Sequence, residues 1–213
     1  MTTTATRTAP SQHEDPPESG LIGSSRPFAW LLVIGGVLGV VASAVITHDK
    51  MKLLEDPNYV SACSLNPVLS CNNIMKSWQA SVFGFPNPFV GWIAFPMLVV
   101  IGAGLLAGAG HRRWWWTGLW AGSLFGVGFV TFLQYSSLYK IGSLCLWCSL
   151  VWAVTILIFW YTTVHNVKTG VFPVSARVRE TVLEFNWVVP VLWYGILLIL
   201  IGIRWWSYWK TLL

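Results

Sequence analysis

Read along its length, the chain alternates uncharged, strongly apolar stretches with short polar connections. A bilayer core about 30 Å thick is crossed by roughly 20 mostly apolar helical residues. Five stretches meet that length. Between Arg26 and His48 lie 21 residues without charge, Pro27 to Thr47, and between Lys76 and His111 lie 34, Ser77 to Gly110. The second exceeds one span, and its front part, Ser77–Asn87, contains Gly84 and Pro86. The pattern therefore predicts an interfacial or re-entrant segment over 77–87, with a helix starting at Pro88, a favoured first helical position. The remaining gaps are Trp114–Tyr139, Ile141–Val164 and Phe185–Ile203. Expected helices thus cover about 27–47, 88–109, 114–139, 144–164 and 185–206, with a connecting loop over 48–87. The fold class that follows is an all-α integral membrane protein, a four-helix transmembrane bundle plus a fifth transmembrane helix.

Composition supports the same class. Of 213 residues, 55% are hydrophobic and only 10% charged, against about a quarter charged in soluble domains. So little polar surface cannot cover a water-soluble globule. The net charge of +5 comes from Lys and Arg standing singly or in pairs, without the basic stripe that nucleic acid requires. Residues 1–26, rich in Thr, Pro, Ser and acid, read as a disordered cytoplasmic tail. Ala42-Ser43-Ala44 resembles a signal-peptidase site, but the apolar run is long and the preceding tail carries more acid than base. Either way, the loop that follows reaches the same side.

Basic residues near helix ends set orientation. With the N-terminus in the cytoplasm, the inner side carries Arg7, Arg26, Arg112, Arg113, Lys168, Arg177 and Arg179, and the outer side Lys50, Lys52, Lys76, Lys140, Arg204 and Lys210. The short His111–Arg113 turn and the Lys168–Arg179 loop favour this sense in a cell membrane. Trp114–Trp116 and Trp205, Trp206 and Trp209 fall at span ends, as interfacial belts do.

The four cysteines are the candidate chemistry. Cys63 and Cys71 lie in the loop after the first helix, and Cys145 and Cys148 where the fourth begins. One crossing precedes the first pair and three precede the second, so all four thiols share one face of the membrane. In the orientation above that face is extracytoplasmic, where disulfides persist. Cys145-Leu146-Trp147-Cys148 is a CxxC whose thiols share a helix face, and the free N–H groups and dipole of a first turn stabilise a thiolate there. The loop pair, near Asn66 and Pro67, reads as mobile enough to bond to itself, to another protein or to the CxxC. Three uses remain open: redox exchange, a four-thiolate metal site, and two structural staples. The seven residues between Cys63 and Cys71 are wide for a zinc knuckle, and so short a ring as Cys145–Cys148 constrains an unfolded chain little.

In combination, Cys63-x7-Cys71, the following Asn72-Asn73-Ile74-Met75-Lys76-Ser77, the run Phe83-Gly84-Phe85-Pro86-Asn87-Pro88 leading to Gly91, and Cys145-Leu146-Trp147-Cys148 resemble the bacterial form of the vitamin K epoxide reductase family. The resemblance covers about Phe28–Val164. It implies a four-helix catalytic domain over 27–166 built around a quinone, menaquinone or ubiquinone. It also implies that Cys145 and Cys148 are the catalytic pair, with Cys148 nearest the ring, and that Cys63 and Cys71 are a redox shuttle. The implied relay starts when a reduced thioredoxin-like dithiol protein attacks a Cys63–Cys71 disulfide at Cys63; Cys71 then exchanges with Cys145. Asn87 and Ser77 match positions of quinone binding and pocket closure, whereas local sequence by itself favours a helix cap for Asn87 and a satisfied loop hydroxyl for Ser77. Trp152 stands one turn beyond the CxxC where vertebrate members carry Tyr, which removes a hydroxyl from the quinone site and weighs against epoxide reduction. The chain runs out at Leu213, soon after the fifth span, so the expected thioredoxin-fold partner is a separate polypeptide. The same cysteines would serve a reductase of a quinone epoxide, or brace a non-enzymatic scaffold.

Overall fold

A computed structural model describes residues 20–66 and 68–210. Apart from one two-residue strand pair, its regular structure is helical, and a helix, like a closed barrel, satisfies its own backbone groups where a bilayer core offers no water. Among the described residues, four helices are long and apolar enough to cross a membrane, and a bent pair makes a fifth.

Helix α1 (Arg26–Glu55) begins after Ser25 with Pro27 in its first turn, where a missing N–H costs nothing. It runs two turns past Thr47, because His48–Lys52 prolong the helix without needing hydrocarbon around them. It stops at Asp56, where the following Pro57 disfavours helical backbone. A short helix α2 (Cys71–Lys76) and a 3-10 turn (Trp78–Ser81) lead to α3 (Pro88–Leu106). After a turn at Gly108, with φ +93, α4 (Arg113–Tyr135) runs back and continues as a π-helical segment, Ser136–Ile141. Gly142, at φ +70, ends that segment in the left-handed region, which costs glycine least. Helix α5 (Leu146–Lys168) follows.

The last span differs from the straight helix over 185–206. An amphipathic helix α6 (Ala176–Glu184) meets α7 (Val188–Arg204) at a 57° bend, and α8 (Trp206–Trp209) closes the described chain. The expectation of a disordered 1–26 falls mostly on residues outside the described ones, and its end is ordered. Strand β1 (Leu21–Ile22) pairs antiparallel with β2 (His111–Arg112), and the indole N–H of buried Trp116 donates to the Ile22 carbonyl at 3.2 Å. Those partners satisfy backbone groups that a loop at the end of an apolar bundle would otherwise leave bare.

Helix α1 packs against both α3 and α5, and α4 packs against α5. Glycine allows the closest approach. A Cβ on Gly36 would stand 2.9 Å from the Phe95 carbonyl oxygen, and one on Gly102 would stand 2.8 Å from that of Ala29. Small residues bring membrane helices into this backbone-to-backbone contact, where dispersion replaces the missing hydrophobic drive. In contrast α3 and α4 scarcely touch. The space between them is a cavity of about 480 Å³ that reaches the cysteine-bearing end of the bundle.

Candidate functional site

Three segments build the cysteine-bearing end. The first is the loop after α1, whose hub is the Asn72 side chain. Its amide oxygen accepts from the Ser61 N–H at 3.0 Å and from the Ser64 hydroxyl at 3.1 Å, and its NH2 donates to the Tyr59 carbonyl. Asn66 accepts from the N–H groups of Val68 and Leu69, closing a local turn. The loop expected to be mobile is thus tied from within. Cys63 and Cys71 are joined as a disulfide.

The second segment is the hairpin between α4 and α5. It is zipped to the first by a parallel bridge between Leu69 and Leu144: Ser70 N–H donates to the Leu144 carbonyl at 2.9 Å, and Leu144 N–H to that of Val68 at 2.7 Å. The Asn73 amide adds a bond to the Ser143 hydroxyl at 3.0 Å. This zipper sets Cys71, the first residue of α2, against Cys145, the residue before α5. Cys145 Sγ stands 3.0 Å from Cys71 Sγ, closer than nonbonded sulfurs ordinarily approach. The sulfurs of Cys63, Cys71 and Cys145 all lie within 4.8 Å of one another.

Cys145 and Cys148 carry free thiols. Cys145 caps α5, its sulfur accepting from the Cys148 N–H at 3.4 Å. Lying one residue outside the spanning helix, its thiol is held below its ordinary value, first by a hydrogen bond from the Cys148 side chain and then by the N–H groups of Cys148 and Trp147. Burial and the nearby Asp49 carboxylate oppose this. Such a cap favours the thiolate, the nucleophilic form. Cys148 sits one turn deeper, partly exposed on the cavity wall.

The third segment is 77–87. Asn87 does not cap α3, although its position suggested one. Its NH2 donates to the Gln79 carbonyl at 2.7 Å and its oxygen accepts from Val82 N–H at 3.0 Å, so it clamps the segment into a cover while lining the cavity. Ser77 donates to the Ile74 carbonyl at 2.7 Å and stands off the cavity wall. Trp152 is buried, lines the cavity, and packs with Ile156 and Val130. The cavity wall is almost wholly apolar, with Cys148 at one end. Such a surface suits a flat quinone ring with an isoprenoid tail, and Cys148, Trp152 and Asn87 are the residues that would hold the ring.

Two features escaped the sequence pattern. Asp49, read as one charge in a connecting loop, is buried near the end of α1 with its Oδ2 4.0 Å from Cys63 Sγ. Arg204, read as a topology signal, donates from Nε to the Leu138 carbonyl at 2.8 Å, and Tyr194 donates to the Ala153 carbonyl at 2.7 Å. With Trp205 buried beside Leu144 and Trp152, these bonds lay the last span against the hairpin that carries the CxxC. A polar residue next to an apolar run was the available signal, and its partners are distant in sequence.

The search of curated proteins returned no match. The family model described as the vitamin K epoxide reductase family matches residues 30–163, well over half of the chain and including all four cysteines.

Proposed function

Since the chain belongs to the vitamin K epoxide reductase family, a family of membrane thiol–disulfide oxidoreductases that use quinones, we propose that it oxidises the dithiol of a thioredoxin-fold partner outside the cytoplasm. The electrons pass to a membrane quinone, menaquinone or ubiquinone, and the cell gains disulfide bonds. The observation that carries this reading is the short approach of Cys145 Sγ to Cys71 Sγ, at 3.0 Å, with Cys148 on the wall of an apolar cavity. Sulfur meets sulfur on the side facing water, and sulfur meets a lipid-soluble acceptor on the other.

The chemistry follows from thiolate exchange through mixed disulfides. The partner's thiolate attacks Cys63, at 6% exposed the more accessible half of its disulfide, since Cys71 is 1% exposed. Cys71 leaves as a thiolate and attacks Cys145 of an oxidised Cys145–Cys148 pair, which releases Cys148. The partner's second thiolate then closes the partner's disulfide and frees Cys63. Cys63 in turn attacks Cys71, restoring the Cys63–Cys71 bond and leaving Cys145 and Cys148 reduced. A quinone accepts two electrons and two protons, matching one dithiol per turnover. Helix α5 begins at the boundary between both media, so one motif can serve both. The N-terminus faces the cytoplasm in this reading.

Purified protein supplied with reduced thioredoxin as the dithiol donor and a short-tailed naphthoquinone tests the proposal. Absorbance should report quinone reduction in the wild type, and Cys148→Ser should lower it about a thousandfold, as expected when one member of a catalytic unit is removed. Undiminished turnover in Cys148→Ser would sink the assignment.

A further inference from the structure

Among the described residues, Asp49 is the one acidic side chain that the relay does not use yet the fold buries against it. It is 7% exposed, although an Asp is almost never this buried without a partner. Its two oxygens have separate tasks. Oδ1 accepts from the Tyr59 hydroxyl at 3.0 Å, whereas Oδ2 faces the disulfide at 4.0 Å from Cys63 Sγ. Tyr59 is held in turn by its carbonyl, which accepts from the Asn72 amide, so the hub that shapes the Cys63 loop also aims the phenol at Asp49.

We propose that Asp49 is a catalytic residue, the general base for Cys63: its carboxylate Oδ2 takes the proton from Cys63 Sγ when that sulfur attacks Cys71. The inference deepens the relay proposed above and rests on it. When the partner's second thiolate closes the partner's disulfide, the bond from the partner to Cys63 breaks and Cys63 departs with the electron pair. The proton given up by the partner's second thiol neutralises it, leaving a thiol beside the Asp49 carboxylate, which Tyr59 stabilises. As Cys63 then attacks Cys71, its proton passes to Oδ2. A bond forms between Cys63 and Cys71, the Cys71–Cys145 bond breaks, and Cys145 leaves as the thiolate that the start of α5 favours. Oδ2 then sheds the proton to water, so Asp49 ends each cycle as the carboxylate it began.

The groups around Asp49 suit a base rather than an ion pair. Tyr59 faces it from the loop, and this bond chiefly raises the phenol above its ordinary value, keeping it a donor. Cys63 faces it from the same loop, and Cys145, at the head of α5, feels its charge. Two cations, Lys50 on the same helix as Asp49 and Lys76 on α2, are bonded elsewhere. Lys50 donates from Nζ to the Met75 carbonyl at 2.6 Å, and Lys76 on α2 donates to that of Pro57 at 3.3 Å.

The test reads Cys63 directly. In Cys71→Ser protein, Cys63 is a free thiol, and its rate of alkylation by iodoacetamide is followed against pH by mass spectrometry. With Asp49 intact, reactivity should rise only above the ordinary thiol range, because a neighbouring carboxylate disfavours a second negative charge. Adding Asp49→Asn, which keeps the Tyr59 acceptor, should speed alkylation about tenfold at pH 8; adding Asp49→Glu should restore the wild-type profile. An ordinary profile for Cys63 with Asp49 present overturns the proposal without any Asp49 variant needing to fold. In turnover with reduced thioredoxin and quinone, Asp49→Asn should slow the rate at least tenfold and flatten its pH profile, whereas Tyr59→Phe should keep the profile. Equal effects of both variants, with the profile unchanged, would make Asp49 a mere support for Tyr59 and also overturn it. If the wild type moves no electrons to quinone while the alkylation shift persists, the relay fails and the Asp49–Cys63 coupling stands.

Discussion

The two ends of the bundle are held by different forces. At the cysteine-bearing end the backbone is irregular, with a 3-10 turn, a π-helical segment and a long loop, and side-chain amides and hydroxyls organise it. Asn72, Asn73, Asn87 and Asn66 each bind backbone or hydroxyl groups there. At the opposite end the order comes from aromatic packing. The fully buried Trp116 ring lies 4.1 Å from that of His165 and 6.2 Å from that of Phe28, which stacks on His165 at 5.0 Å. Directional bonds position the sulfurs, and broad apolar contact holds the opposite end of the bundle together. The contrast teaches that position and stability are handled by separate regions.

Substitutions at the two ends should separate these roles. The largest effect on stability is expected at the aromatic end. Trp116→Ala should cost about 3 kcal/mol, because the surrounding helices cannot fill the void it leaves. Thermal unfolding in detergent measures it, and quinone reduction per folded molecule should stay at the wild-type level. A loss of turnover as deep as the loss of stability would break the division. A smaller stability cost, about 1–2 kcal/mol, is expected for Asn72→Ala, which leaves the Ser61 and Ser64 donors and the Tyr59 carbonyl without their partner. Here turnover should fall more steeply than stability, and hydrogen exchange should speed up over residues 59–66 while α3 and α5 stay protected. Uniform loss of protection would show that the hub braces the whole bundle.

Much of this plan is legible in the sequence because hydrocarbon imposes it. A gap in charge marks a span, and Pro88 marks where α3 starts. What charge gaps measure is hydrocarbon, and helices do not end where hydrocarbon does. Hence α1 carries on through Asp49 and Lys50, and Asp49, which looks like a loop charge, is turned inward onto Cys63. The bend between α6 and α7 is likewise invisible in a run of uncharged residues. Parity of crossings puts all four cysteines at one end, yet nothing local shows that Leu69 and Leu144 zip their loops together. Asn87 illustrates the same limit. Its place before a helix suggests a cap, but its bonds depend on how 78–82 folds back, which spacing does not encode. The tail residues Leu21 and Ile22 pair with a turn some ninety positions away, equally beyond local pattern.

All of this hangs on whether Cys71 and Cys145 meet as reacting partners. In Cys63→Ser, Cys148→Ser protein these two are the last of the four cysteines. Mild oxidation of that variant in membranes, followed by non-reducing peptide mapping, measures their pairing directly. The account predicts a Cys71–Cys145 cross-linked peptide in most molecules. Two separately alkylated thiols, or disulfides formed only between chains, would contradict it.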